Sequence, residues 1–331
     1  MGLLPPTLSD EFAHGVQVRA NIQSRDGTVG RFEPVHRLRW RQDPAQHIMG
    51  LQPWVRQLLA SQDLMFLLEI EPVGGVAQST HCTLKSRQGQ TLLRMDRPDD
   101  GLFQHEVEEV IRWADLRAER ADEILVQIDH QWAQWGSVVP LRPDLKPRTV
   151  ELLQAMIWLC VCVEMRFKQV MAVSRPQDWS PQVQPVITTP GHGSFPMGHA
   201  TQAFAVAQTL KYIMRLPAGD LTGRQLDRLA QRIAINRIVA GVHFPVDMIS
   251  GILLAHTLAD FARAQSQKMP SVVPHRVFSE SVYRQNDWNV MLAKPDGLQV
   301  FQQGEMLLVP RGEQTPVWGR LWNLALAEWE S

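Results

Sequence analysis

The chain is short of several things at once. Its 331 residues include three cysteines and two tyrosines, and 33 basic against 34 acidic side chains leave a formal charge of −1. Three thiols, Cys82, Cys160 and Cys162, make no disulfide framework. Cys160 and Cys162 lie two apart in an apolar helical stretch, so they face different ways and do not form a zinc-ligand pattern. The balanced charge excludes a bulk basic field for nucleic acid or anionic lipid. Any anion must be held by a few converging cations. Long apolar runs are missing too. The longest, Ala155 to Val163, is nine residues, where a membrane-crossing helix needs roughly twenty. The stretch from Met248 to Ala259 is interrupted by Ser250, Gly251 and His256. The first residues lack the basic and apolar regions of a signal peptide. The expectation is a cytoplasmic protein with no membrane span and no nucleic-acid partner.

What is present argues for a packed body. Apolar residues make up 44% and charged residues 20%, a composition unlike that of disordered chains. Residues 1–100 mix strand-like and irregular signals, with the turn Ser86 to Thr91 resembling a hairpin tip. Helical spacing begins near Leu102 and covers Glu106–Arg120 and Ala121–Trp135, before a break at Pro140–Pro147. A long helix is expected from Thr149, with Pro176 ending it, then a Pro- and Gly-rich loop to Pro196. Three more helices are expected, from Gly198 to Arg215, from an N-cap at Thr222 to Ala240, and from Pro245 to Ala264. The tail from Pro270 loses helical periodicity, and Gly297–Pro310 reads as a strand pair. The expected class is all-α, a helical bundle with irregular and partly β extensions. The expected parts are an N-terminal extension over 1–100, a helical core over 101–266 and a C-terminal extension over 267–331.

The helical core concentrates the chemistry. Lys168 and Arg175 are two helical turns apart and can serve one face. Gly198 permits a close backbone approach, and His199 opens a helix whose free N–H groups favour an anion. Arg237 closes the next helix. His243 and Asp247 follow at i, i+4, a spacing that lets the carboxylate hold one ring nitrogen and leave the other as a basic lone pair. Each of these residues alone would read as a surface cation, a cap or a core histidine. Together they suit a tetrahedral oxyanion. His192, seven residues before His199, lies in the same loop. Glu164 and Arg166 read as surface or intersegment charges, and His256 as structural.

The pattern Lys168-x6-Arg175-Pro176, Pro196-x-Gly198-His199 and Arg237-x5-His243-x3-Asp247 resembles the three-part signature shared by type 2 phosphatidic acid phosphatases, class A acid phosphatases and vanadium-dependent haloperoxidases. It spans 168–247. The resemblance implies a haloperoxidase or acid-phosphatase type of bundle. One departure is Met197, where the family carries a serine whose hydroxyl donates to an oxyanion oxygen. Losing such a donor lowers rates by about 100- to 1,000-fold. The leading expectation is a haloperoxidase that oxidises bromide or iodide with hydrogen peroxide, passing the oxidised halogen to a small organic acceptor. In that reading the cofactor is vanadate, with His243 as its axial ligand. Lys168, Arg175, Arg237 and the Gly198 amide would hold its oxygens beside Met197. His199 would be the acid–base group, Asp247 the partner of His243, and His192 the halide-tuning residue. A homodimer is also expected from that branch. The alternative is an acid-phosphatase-like phosphomonoester hydrolase working through a phosphohistidine at His243, and a third reading is a non-catalytic oxyanion-binding protein.

Overall fold

The computed structural model describes residues 18–23, 25, 48–74, 80–129, 131–267, 270–294, 297–309 and 315–330. The chain divides into two units, residues 1–47 and 48–331. In the first unit the described residues, 18–23 and 25, are helical and exposed. In the second, the described elements are α1 (Pro53–Met65), β1 (Leu68–Val73), β2 (His81–Ser86), β3 (Thr91–Asp96), α2 (Asp100–Trp113) and α3 (Arg117–Val126). Then follow α4 (Trp132–Val138), α5 (Pro147–Met171), the short α6 (Pro176–Trp179), α7 (Gly198–Ile213), α8 (Leu221–Val239) and α9 (Pro245–Ser266). The chain closes with β4 (Ser271–Phe278), α10 (Glu280–Arg284), α11 (Trp288–Ala293), β5 (Gln302–Val309) and α12 (Pro316–Ala327).

Helices α5, α7, α8 and α9 form the bundle. Helix α7 lies at its centre and packs on the other three. Its middle is nearly all small or apolar, and Ala200, Ala203, Ala205 and Ala207 let neighbours approach closely. The tightest approach is at Gly251 of α9. A Cβ there would stand 2.5 Å from the Met197 carbonyl and 3.1 Å from the Ala200 Cβ. The Met197 amide also donates to the Asp247 carbonyl at 2.8 Å, so the start of α7 is tied to the start of α9.

The two flanks meet in one five-stranded sheet of order β1-β2-β3-β4-β5. Its first three strands are antiparallel neighbours, with the expected hairpin tip between β2 and β3. β3 then pairs in parallel with β4 across about half the chain, Leu93 opposite Arg276. The expected strand pair within 297–310 is instead a 3-10 turn at Gly297–Phe301 and a single strand, β5, whose antiparallel partner is β4; Pro310 lies outside the described residues. Sheet and bundle share one core, which runs through Leu84, Leu93 and Met95 to Phe261 and Phe278.

Local differences from the sequence pattern have local causes. Asp220, not Thr222, caps α8, because its carboxylate accepts from the amides of Thr222 and Gly223. Helix α5 begins two residues early, on Pro147 at its first position, and stops at Met171, where Ala172 takes a left-handed φ of 48°. The segment expected as helix over 106–135 is broken into α2, a 3-10 turn, α3 and α4. Helices α1 and α12 are not visible in the periodicity of the flanks. They hold each other's place: Asp63 of α1 accepts from the amides of Val317 and Trp318, and the Trp318 indole donates to the Ala262 carbonyl of α9. No described helix is long and apolar enough to cross a membrane.

Replacing Gly251 by Ala forces the α7 start off α9. The expected result is a loss of about 1–3 kcal/mol in stability, seen as a lower denaturation midpoint. Gly219→Ala is no control, because that residue has a positive φ, whereas Gly191→Ala meets open space and is expected to leave the midpoint unchanged.

Candidate active site

The three cations meet at one end of the bundle, and each keeps 3% or less of its exposure. Lys168 leaves the last turn of α5, and its Nζ donates to the carbonyls of Gly193 (3.0 Å) and Ser194 (2.9 Å). Arg175 lies beyond the helix, so its convergence with Lys168 comes from the reversal at Ala172 and not from two helical turns. Its Nε donates to the His192 carbonyl, Nη1 to the Val242 carbonyl (2.7 Å) and Nη2 to the Gly193 carbonyl (3.2 Å). Lys168 and Arg175 thus share one acceptor. Arg237, in the last turn of α8, donates from Nη2 to the Ile124 carbonyl at 2.8 Å. Its Nε and Nη1 are buried with no partner. Two orphaned guanidinium donors among converging cations fit a tetrahedral oxyanion such as phosphate or vanadate.

His243 is held from both sides. Nδ1 lies 2.9 Å from Asp247 Oδ2, and Nε2 lies 3.0 Å from Arg175 Nη1. A guanidinium only donates, so Nε2 carries the lone pair and Nδ1 carries the hydrogen that Asp247 accepts. Asp247 Oδ2 also accepts from the Phe244 amide at 2.9 Å, which fixes the carboxylate at the start of α9. Burial raises the proton affinity of Asp247, and the Phe244 amide opposes the rise. Burial, reinforced by Arg175 and Lys168, holds His243 well below the ordinary histidine range. The ring is therefore neutral, with its free lone pair on Nε2.

His199 stands at the start of α7 with Nε2 3.0 Å from the Gln127 carbonyl. Burial first, and then Arg237, bring its pKa down to about 3. His192 is exposed; its Nδ1 lies 3.1 Å from both Arg175 Nη2 and the Gly193 carbonyl, so it accepts from one or donates to the other. The Met197 side chain is fully buried and makes no cap for α7.

Several neighbours escaped the sequence reading. Glu164, read as a surface or intersegment charge, is buried one turn before Lys168. Its Oε1 accepts from Gln202 at 2.8 Å, and a Cβ at Gly198 would stand 2.7 Å from that oxygen. The need for glycine at 198 therefore includes room for Glu164. Burial raises the Glu164 carboxyl and lowers the Lys168 amine, each opposed by the other's charge. An acidic residue four before Lys168, flanked by Val163 and Phe167, was the available signal. Ser194 Oγ lies 3.1 Å from the Ser174 carbonyl and 3.5 Å from Asp247 Oδ1. Glu106 of α2 accepts from the Val246 amide at 3.0 Å and from the Tyr283 hydroxyl of α10, which links the C-terminal flank to the first turn of α9. Nothing in the local sequence marks Glu106 or Gln127.

With this geometry in place, the comparisons fall on the same segment. The PAP2 superfamily matches residues 149–269, so a PAP2 superfamily domain is present in this chain. A curated relative, the decaprenylphosphoryl-5-phosphoribose phosphatase of Mycolicibacterium smegmatis, is 29% identical over 120 residues, 36% of this chain and 62% of that protein. The chain thus spans less than two thirds of the relative's length. A solved transmembrane PAP2-type phosphatidylglycerolphosphate phosphatase from Bacillus subtilis aligns over 66% of this chain and 84% of that one. That alignment has 13% identity and a TM-score of 0.28, too loose a superposition to define the fold. That curated relative is a phosphatase and gives no support to the haloperoxidase branch expected from the sequence.

Glu106 carries a pH prediction. Burial pushes its carboxyl up to about 8 from 4.5, against the opposing bond from Tyr283. Between those values the folded protein holds a proton that the unfolded chain has lost, so this contribution is full below about pH 4.5 and is lost as pH rises through about 8. Glu106→Gln removes the titration. The thermal midpoint of the variant relative to the parent is expected to rise from pH 5 to pH 9; a constant difference would refute the assignment.

Proposed function

We propose that this protein is a phosphomonoester hydrolase that works through a phosphohistidine at His243. The observation that carries this reading is the state of His243: an imidazole whose Nδ1–H is anchored on Asp247 and whose Nε2 lone pair faces the Arg175 guanidinium. That is the geometry of an oriented nitrogen nucleophile beside the cation that would neutralise the group it attacks. The PAP2 domain over 149–269 and the phosphatase relative support the choice of hydrolysis over halide oxidation.

In the first step His243 Nε2 bonds to phosphorus as the ester oxygen leaves. Lys168, Arg175 and Arg237 stabilise the charge gathering on the non-bridging oxygens, and the orphaned Nε and Nη1 of Arg237 gain their acceptors. His199, neutral in the free site, relays to the leaving oxygen the proton that a monoanionic phosphomonoester brings. In the second step His199 takes a proton from water, the water oxygen bonds to phosphorus and the phosphorus–nitrogen bond breaks. Phosphate is released and His243 is restored. Vanadate, which resembles the transferred group, would then be an inhibitor held by the same cations.

Two measurements test this reading. His243→Ala is expected to lower phosphomonoester turnover by roughly 10⁴-fold or more, and acid-labile, base-stable label from a radioactive phosphomonoester should be trapped only when His243 is present. Halide oxidation by the vanadate-loaded protein, without phosphatase turnover, would overturn the proposal. Met197→Ser should raise turnover by about tenfold or more by restoring a hydroxyl donor. It should also lower stability by about 2–4 kcal/mol, because a fully buried thioether side chain is removed.

A further inference from the structure

Gln127 lies outside the matched domain, between α3 and α4, and is fully buried. It touches two of the three motifs. Its backbone carbonyl receives His199 Nε2 at 3.0 Å and Gln131 Nε2 at 3.1 Å. Its side-chain Oε1 accepts from Asn236 Nδ2 at 2.9 Å and lies 3.5 Å from Arg237 Nη2. Its Nε2 donates to Glu123 at 3.0 Å, and Glu123 is paired with Arg232. The orientation of each amide in this chain follows from its neighbours. Arg120 only donates, so Asn236 Oδ1 accepts and Asn236 Nδ2 must donate to Gln127 Oε1. Glu123, already accepting from Arg232, then accepts from Gln127 Nε2.

A carbonyl oxygen can only accept. An imidazole nitrogen 3.0 Å from it must carry a hydrogen, because two lone pairs facing each other inside the protein would leave both groups unsatisfied. We infer that Gln127 is a positioning residue of the site: its carbonyl fixes His199 as the Nε2–H tautomer, so that Nδ1 is the atom that gives and takes the transferred proton, and its side-chain amide holds the helix end that presents Arg237. The proton-transfer part rests on the phosphatase reading; the tautomer and the hold on Arg237 do not.

The proton balance follows directly. The free ring, its pKa brought down to about 3, is neutral, so a monoanionic phosphomonoester brings the second proton, which passes to Nδ1 for the first step. The departing oxygen takes the Nδ1 proton as its bond to phosphorus breaks, and the ring is left neutral with Nε2–H still on the carbonyl. In the second step the attacking water returns a proton to Nδ1, and the departing phosphate carries that proton away as its monoanion. The Nε2 hydrogen never leaves the Gln127 carbonyl through the cycle. His243 is the mirror case, with its hydrogen on Nδ1 and its working lone pair on Nε2. The two histidines of the site therefore use opposite ring nitrogens, each chosen by the acceptor behind it.

The test begins on the free full-length protein labelled with 15N at histidine. Two-bond proton–nitrogen correlations near neutral pH separate the two tautomers, and the His199 ring is identified by its loss in His199→Asn. The expected result is a protonated Nε2 and a bare Nδ1; a protonated Nδ1 with a bare Nε2 would overturn the assignment whether or not the protein hydrolyses phosphomonoesters. The second arm uses Gln127→Met, which keeps the carbonyl and deletes the amide. Calorimetric titration with inorganic phosphate should show binding weakened by about tenfold, the effect of one lost charge-assisted contact, while His199 keeps the Nε2–H signature. Unchanged phosphate affinity would overturn the side-chain role. If the variant does not fold, the tautomer of the parent protein still decides the proposal.

Discussion

The Arg175 guanidinium is the contact on which the rest of the site depends. It gathers the carbonyls of His192, Gly193 and Val242 and the Nε2 of His243. Those four acceptors come from two loops, one between α6 and α7 and one between α8 and α9. Lys168 holds the first loop at Gly193 and Ser194, Arg117 ties Val183 and Gln184 to Val239 at the end of α8, and backbone bonds such as Ser194 to Val173 and Val186 to Ala240 add to these. A planar fork with fixed donor directions can satisfy this arrangement; a lysine, with a single charged nitrogen, cannot span it. The cation that would bind the substrate is thus also one that closes the loops around it. Function and local folding share one residue, and a change there cannot separate them.

The flanks contribute order to the helix ends more than they add separate bodies. Glu328, just past α12, accepts from the amides of Arg148 and Thr149 and from the Thr149 hydroxyl, which satisfies the open N-terminus of α5. Asp63 does the same for α12, and Glu106 with Tyr283 braces the first turn of α9. Carboxylates such as Glu328 at a helix N-terminus are favourable both as acceptors and against the helix dipole, whereas Glu106, its carboxyl pushed up to about 8, serves as an uncharged acceptor at neutral pH. The two long helices that carry Lys168 and Asp247 are therefore held at the ends remote from, or beside, the site by residues far away in sequence. The sheet joins the same flanks through the parallel β3–β4 pair.

The sequence was informative where chemistry is local. The i, i+4 spacing of His243 and Asp247 did translate into a hydrogen bond, and Pro245 does sit at a helix start. Cys160 and Cys162 do face opposite ways, one buried and one exposed. It was silent where partners are remote. The match of Leu93 with Arg276 and the cap by Glu328 depend on pairings across more than a hundred residues, which no window of periodicity records. Helix α12 is rich in tryptophan and leucine but short, so its apolar face was indistinguishable from a buried strand. Gln127 was hidden for another reason: its role at His199 is carried by a backbone carbonyl, which has no residue signature at all.

The neutral charge of the whole chain and the strongly cationic site are reconciled by the type of acceptor used. Desolvating a cation is costly, and the usual remedy is a carboxylate partner, which restores stability but cancels the field. Here the side-chain donors of Lys168 go to the carbonyls of Gly193 and Ser194, those of Arg175 to carbonyls and ring nitrogens, and the satisfied donor of Arg237 to Ile124 and Gln127. Asp178 takes the backbone amide of Arg175 and leaves the guanidinium alone. Neutral dipoles satisfy these hydrogen bonds without pairing the charges, while Glu164 and Asp247 act on Lys168, and Asp247 and Asp178 on Arg175, only through their fields. The cost shows in the lowered proton affinities of all three cations, each with burial as the leading cause. A dianionic phosphoryl group would relieve that cost on binding. The unfavourable resting state is what makes anion binding selective, because an uncharged ligand of the same shape would leave the cations as they are.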